Sequence, residues 1–276
     1  MLNIHAWKKG ALWFPFFLLL GASNIFAIEL SDDESKLIGQ LIFQNECASQ
    51  ITCLTSWNKG EDFASLGIGH FIWYPKGVRE SEKRFDESFP KLLVWMQDKG
   101  VEIPRWLLKN QGNPWVNRKQ FEAAKNTKRM KLLRGFLIET RVFQVEVIKN
   151  RLNHALPIML NHIPPESRNH IRQQFQHVVD SPMGFYALID YVNFKGEGIK
   201  ISERYQGKGW GLLQVLKHMQ STRSSIQTIY DFSTSAAFIL TRRVNLSPVS
   251  QHEERWLKGW KKRIQSYEYE AKQHKL

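Results

Sequence analysis

Apolar residues in this chain recur mostly at helical spacing, and two glycine-bearing stretches interrupt the rhythm. Ser31 and Glu34 form a capping box, and Leu37, Ile38, Leu41 and Ile42 follow on one face of the helix it predicts. Glu46 falls on the same apolar side, one turn past Ile42. A turn signal, Asn58, Lys59 and Gly60, comes next, and residues 63–73 read as one strand with Gly67 and Gly69 at alternating positions. Missing side chains there let a ligand or another backbone approach closely. Helical spacing then returns. Ser88 opens a helix that Gly100 closes, and Pro104 and Gly112, Asn113 and Pro114 punctuate a linker carrying Trp106 and Trp115. A helical stretch begins near Arg118, and a long pattern through Phe136, Val142, Val145 and Leu152 ends at Pro157. Pro164 and Pro165 open another helix that ends near Asp180. Ser181 and Pro182 cap the next, whose buried side holds Phe185, Leu188, Ile189 and Val192. A glycine-rich loop over residues 194–214 follows. The chain closes on a helix from Phe232 to Val244, a turn at Pro248, and a helix bearing Trp256, Trp260, Arg263 and Tyr267. This pattern predicts a mainly α (α+β) fold, a helical body with a small β-hairpin lobe flanking a cleft. Residues 28–276 form one domain in two lobes, 28–85 and 86–276, the second holding the glycine-rich loop.

Residues 1–27 stand apart from that fold. Lys8 and Lys9 precede an apolar run over residues 11–20 that contains Pro15, and small residues lead to Ala27. This is the layout of a secretory signal peptide, and the run is short against the roughly 20 residues of a membrane span. Cleaved, or kept as an N-terminal anchor, it carries the body of the protein out of the cytoplasm, to the periplasm or beyond. In that compartment the two cysteines, Cys47 and Cys53, read as a disulfide beside Glu46 rather than a metal site; two buried thiols are the alternative. No metal ligand set and no cofactor motif is found, and the nine histidines include no His-Glu-x-x-His pattern.

The net charge of +13 calls for an anionic partner. Outside the cytoplasm the candidates are peptidoglycan or a related amino-sugar polymer, with peripheral contact to acidic lipid headgroups through the basic surface. Nucleic acid is not expected, because no RNP, zinc-finger or helix-turn-helix pattern accompanies the charge. The basic cluster over residues 125–134 reads as a solvated face or as a polymer-facing one.

Glu46 carries the sharpest chemistry. A carboxyl on the buried side of a helix has its pKa raised and stays protonated near neutrality, which suits a general acid. The bland alternative is a helix-end residue turned to solvent. Glu61 and Asp62 lie just past the turn, where either can face Glu46. In the second glycine stretch, Gly207, Gly209 and Gly211 precede a helix, yet no Gly-Lys-Ser/Thr ending marks a nucleotide site.

A glutamate ending the first helix, then a hairpin, then Gly67, Ile68, Gly69 and His70, resembles phage-type lysozymes and the wider lysozyme-like superfamily of lytic transglycosylases and chitosanases. The resemblance covers about 30 residues. It implies that Glu46 is the general acid and that Ser65 stands where a threonine positions water. Asp62 or Glu61 would fill the aspartate's role, although the loop after Glu46 is longer here and carries the cysteines. Gly209 to Gln214, read Gly-Trp-Gly-Leu-Leu-Gln, also resembles the Gly-Leu-Met-Gln signature of lytic transglycosylases, which lies on the cleft wall. That makes Glu197 with Gln214 an alternative acid site, or a second wall of the cleft.

Glycan cleavage needs a protonated carboxyl at the glycosidic oxygen and a way to handle the developing oxocarbenium ion. With Glu61 or Asp62 activating water held by Ser65, the enzyme is an inverting hydrolase; with Glu46 alone, a lytic transglycosylase. Gly67, Gly69, His70, Trp73, Tyr74, Glu197, Tyr205, Trp210 and Gln214 are the candidate substrate contacts, with Trp57 as a further ring; several of the aromatics read equally as core. A catalytically inactive lysozyme-like protein that binds cell-wall glycan or an envelope partner is the reading from another class.

Overall fold

The computed structural model of the chain describes residues 29–109 and 112–274, so the leader over residues 1–27 lies outside the described residues. Helix α1 (Asp32–Cys47) starts as the sequence predicts. The Glu34 amide donates to Ser31 Oγ at 3.2 Å and the Ser31 amide to Glu34 Oε2 at 2.8 Å, a cap that stabilises by about 1 kcal/mol. Ile38, Leu41, Ile42 and Phe43 fill its buried face. The helix stops at Ala48, whose left-handed backbone (φ 46°) turns the chain away and satisfies the Gln44 carbonyl.

Three short antiparallel strands follow in the order β1-β2-β3: β1 (Thr55–Ser56), β2 (Ala64–Leu66) and β3 (Phe71–Trp73). Ser65 pairs with Ile72, and Leu66 with Phe71. The single strand expected over residues 63–73 is therefore two strands. Residues 67–70 form the turn between them, because Gly67 (φ 70°) and His70 (φ 48°) take left-handed backbone that reverses the chain.

Helix α2 (Phe89–Asp98) matches its expected bounds. The stretch read as linker contains the short helix α3 (Arg105–Lys109), anchored by buried Leu107. Trp73, Trp106 and Trp115 meet with ring centroids 6.4 Å apart, and Phe89 and Phe121 extend the cluster, fastening the sheet to this segment. The helical stretch from Arg118 divides into α4 (Arg118–Ala123) and α5 (Lys128–Glu139), because the Thr127 hydroxyl accepts from the Met130 amide and caps a new start. Helix α6 (Arg141–Asn161) does not end at Pro157 as expected. It runs through that residue, where burial of Leu156, Met159 and Ile163 offsets one lost backbone bond.

Helix α7 (Pro165–Val179) leads to α8 (Gly184–Lys195), which is buried along both faces from Phe185 to Val192. Ser181 does not cap it with its side chain as expected; its hydroxyl donates to the His177 carbonyl and the helix begins after Met183. At Gly184 a Cβ would lie 1.6 Å from the Val178 carbonyl oxygen, so only glycine allows α7 and α8 to meet there. Around α8 pack α6, α7, α9 (Leu212–His218) and α11 (Glu254–Gln273), while α10 (Ile226–Leu246) lies along α11. A two-stranded hairpin, β4 (Arg204–Tyr205) with β5 (Lys208–Gly209), precedes α9. The described residues thus form a mainly helical molecule with a small antiparallel sheet, and one hydrophobic core runs through both parts from Ile38 to Ala271. No helix among the described residues is long and apolar enough to cross a membrane.

Candidate active site at the end of the first helix

Glu46 sits in the last turn of α1, next to Cys47. The Cys47–Cys53 disulfide spans a Cα–Cα distance of 5.3 Å and closes the loop that leaves the helix. A loop this short gains about 2 kcal/mol from the bridge, and a disulfide of this kind belongs to an oxidising compartment.

Three other elements converge on the Glu46 side chain. His70, at the tip of the β2–β3 turn, brings Nε2 to 2.8 Å from Oε2. Asn193, in α8, donates from Nδ2 to Oε1 at 3.0 Å and to the Ile68 carbonyl at 3.2 Å, so one amide ties helix, hairpin tip and carboxylate together. Arg263, in α11, donates to Oε1 and forks onto Asp190 of α8 at 2.8 and 2.7 Å. Asp190 has no exposure at all; it also accepts from the Tyr267 hydroxyl at 2.7 Å and from Asn45 Nδ2 at 3.4 Å. A buried carboxylate is tolerable only with such partners. The Glu46 side chain keeps 11% of its surface and that of His70 keeps 44%, so solvent reaches the carboxylate past the imidazole.

This arrangement reverses the expectation that Glu46 is held protonated. Burial does push its carboxyl up, but the His70 hydrogen bond and the Arg263 charge outweigh it and hold the group at about 2. His70 moves the other way. Its surroundings disfavour the imidazolium, and the hydrogen bond and charge of Glu46, helped by Glu61, raise its pKa all the same. Burial alone raises the carboxyl; the two basic groups that the hairpin and the C-terminal helix deliver reverse it.

The two candidate second carboxylates lie in different surroundings. Asp62 is exposed and lies 3.4 Å from Arg84. Glu61 stands within electrostatic reach of His70; its Oε1 accepts from Asn58 Nδ2 at 3.1 Å, and its Oε2 is buried without a hydrogen bond among the described residues. Ser65 is buried in β2. The glycines of the turn make room for protein atoms. A Cβ on Gly67 would lie 2.2 Å from Gln144 Oε1, which accepts from the Ile68 amide, and one on Gly69 would lie 2.6 Å from the Phe71 ring. Trp73 and Tyr74 are each 1% exposed and belong to the core, Trp73 against Phe89 and Tyr74 against Phe63.

Comparison with protein-family models, with curated proteins and with solved structures finds no match to this chain. The reading of the site therefore rests on its own geometry.

The second glycine stretch builds a different object. Gly198 and Gly211 meet so closely that a Cβ on Gly211 would lie 2.1 Å from the Gly198 amide nitrogen. Gln214 locks them, donating to the Gly198 carbonyl at 3.0 Å and accepting from the Gly211 amide at 2.9 Å. Glu197 sits within this clamp, where its carbonyl accepts from the Leu213 amide. Its carboxylate accepts from Arg151 Nε at 2.9 Å; burial raises its pKa, and the Arg151 hydrogen bond and charge more than reverse that. Glu203, whose Oε2 accepts from the Gly198 amide, is shifted up by burial and by Glu197. Tyr205 and Trp210 pack against each other at a tilt of 49° with centroids 4.7 Å apart. The Tyr205 hydroxyl donates to Glu253 at 2.9 Å, and Arg243 lies 4.0 Å from the Trp210 ring centroid.

Asn193, Asp190 and Arg263 join the Glu46 network although no motif in the sequence marks them. The available signal was a charge on an apolar helix face: Asp190 interrupts Phe185 to Val192, and Arg263 shares a face with Trp260 and Tyr267. Among the described residues no group of three or more His, Cys, Asp or Glu side chains is placed to hold a metal ion. A cavity of about 240 Å³ lined by Leu30, Leu37, Ile38, Met183 and Phe185 lies at the opposite end of α1 from Glu46.

Proposed function

We propose that this protein cleaves β-1,4-glycosidic bonds in the glycan strands of peptidoglycan, outside the cytoplasm, through a lysozyme-like site in which Glu46 is the general acid. The observation that carries this reading is the His70–Glu46 pair at 2.8 Å, anchored behind by Arg263 and Asn193 and open to solvent in front. The hairpin residues that carry the resemblance to phage-type lysozymes deliver one half of that pair. The Glu46 hydrogen bond and charge favour the charged imidazole, and the same contact, with Arg263, favours the ionised carboxyl. A sugar ring packed over the pair removes water, and a low dielectric favours the neutral acid and neutral imidazole over two separated charges. The shared proton then resides on Glu46, from which it passes to the glycosidic oxygen as the C–O bond breaks. Glu61, lying near His70, is the carboxylate available to assist water; without that help, the substrate's own hydroxyl closes an anhydro ring.

One observation favours a second reading. Both Glu46 oxygens are engaged and the carboxyl is held at about 2, which equally suits a catalytically inactive protein that binds cell-wall glycan. Mass spectrometry of muropeptides after incubation with purified peptidoglycan tests the proposal. New reducing ends are the product of a hydrolase and anhydro ends of a lytic transglycosylase. The absence of any released product from peptidoglycan or a chitosan-like polymer removes the enzymatic reading.

A further inference from the structure

Lys195, the last residue of α8, is a half-buried amine. Its Nζ lies 3.5 Å from the ring centroid of Trp260 and 3.9 Å from that of Phe194. The guanidinium of Arg263 lies 4.2 Å from the same Phe194 ring, and that of Arg243 lies 5.0 Å from the same Trp260 ring. Three basic side chains are thus interleaved with two aromatic faces beside the Glu46 network. The nearby carboxylates are taken by the arginines: Glu253 by Arg243, and Glu46 and Asp190 by Arg263. Lys195 is in no ion pair among the described residues. The rings position its amine without supplying a full negative charge.

We propose that Lys195 is an anion-recognition residue beside Glu46, receiving a carboxylate carried by the polymer, so that the protein selects carboxylate-bearing glycan over neutral amino-sugar polymers. An ammonium shielded from water and faced by two guanidiniums gains most from an incoming anion, because that anion replaces solvation already lost. Burial, with Arg243 and Arg263 adding to it and Glu253 and Glu46 opposing it, holds the free amine at about 6. Binding a carboxylate therefore takes up a proton near neutral pH, and affinity rises as pH falls from about 8 to about 5.5. The Trp260 and Phe194 faces beside the amine supply the apolar contact that a sugar ring or a stem residue offers.

This inference rests on the glycan reading of the site but not on turnover, so it is tested by binding in the Glu46→Gln background. Three probes are titrated calorimetrically: peptidoglycan strands with their peptide stems, strands stripped of stems so that lactyl carboxylates are free, and neutral chitin oligomers. Lys195→Met, which keeps the apolar stem, is expected to weaken carboxylate-bearing strands about tenfold and to leave chitin oligomers unchanged. It is also expected to abolish the pH dependence, while Lys195→Arg retains most of the affinity. Loss confined to stem-bearing strands assigns the stem carboxylate, and loss confined to stripped strands assigns the lactyl one. Equal effects on all three probes, or no effect with the variant folded as judged by its thermal transition, overturn the proposal. A wild type that binds in a Lys195-dependent way but releases no product removes the cleavage reading and leaves this one standing.

Discussion

Glu46 lies in the last turn of α1 and Glu197 just past the end of α8, and the molecule holds them in opposite ways. At Glu46 the side chain is gripped. His70 comes from the hairpin tip, Asn193 from α8 and Arg263 from α11, across 24, 147 and 217 residues of sequence. At Glu197 the backbone is gripped instead, by Gly198, Gly211, Leu213 and Gln214 from one short stretch, while the carboxylate has a single ion-pair partner, Arg151, whose side chain is 49% exposed. Convergence of side chains from distant parts of the chain builds a charged site that the fold must assemble as a whole. A local clamp builds a rigid loop, in which Gln214 bonds its neighbours' backbone.

The largest expected effect separates the two regions by stability. Arg263→Met leaves Asp190 buried without its bidentate partner, and is expected to cost about 3–5 kcal/mol in urea unfolding. A loss below about 1 kcal/mol, the range of surface pairs, would mean that the Glu46 network is peripheral to the fold. Gly198→Ala probes the clamp. Its backbone has φ 80° and the new Cβ would meet Gln214 Oε1 at 2.0 Å, so a loss of about 1–3 kcal/mol is expected, with the Glu46 site unaffected.

His70→Gln gives a smaller effect with a diagnostic pH dependence. The lowered Glu46 pKa contributes stability that is present above the ordinary value of 4.5 and lost as pH falls toward about 2. The raised His70 pKa contributes stability that is present below 6.5 and lost as pH climbs through the raised value. The difference from wild type is therefore expected to be widest between pH 4.5 and 6.5. Discounted for the exposure of the imidazole, it stays under about 1 kcal/mol. A difference that does not change with pH would contradict the ion pair. The smallest effect is expected from Glu197→Gln, which leaves turnover of peptidoglycan within a few-fold of wild type; a collapse of turnover would move the acid to the glycine loop.

The helical face of α1 and its cap were legible because both are local: capping chemistry and the spacing of Ile38, Leu41 and Ile42 depend on neighbours in sequence. The Cys47–Cys53 pairing was legible for the same reason. The Gly67 turn was misread as strand because alternation cannot distinguish an extended glycine from one at φ 70°, and the difference is fixed by Gln144 of a distant helix. The charge state of Glu46 is hidden from the sequence because it depends on His70 and Arg263, whose arrival next to α1 is a property of the tertiary fold alone. Pro157 misled in the other direction, since a proline marks a helix end only where packing on both sides is too weak to carry the helix through.

The central claim is that the carboxylate gathered by His70, Asn193 and Arg263 performs the chemistry. It is tested most directly by the rate of muropeptide release from purified peptidoglycan by Glu46→Gln relative to wild type, with binding to the same material measured in parallel. A fall of about a hundredfold or more is expected, with binding retained. Wild-type activity that survives the substitution would contradict it.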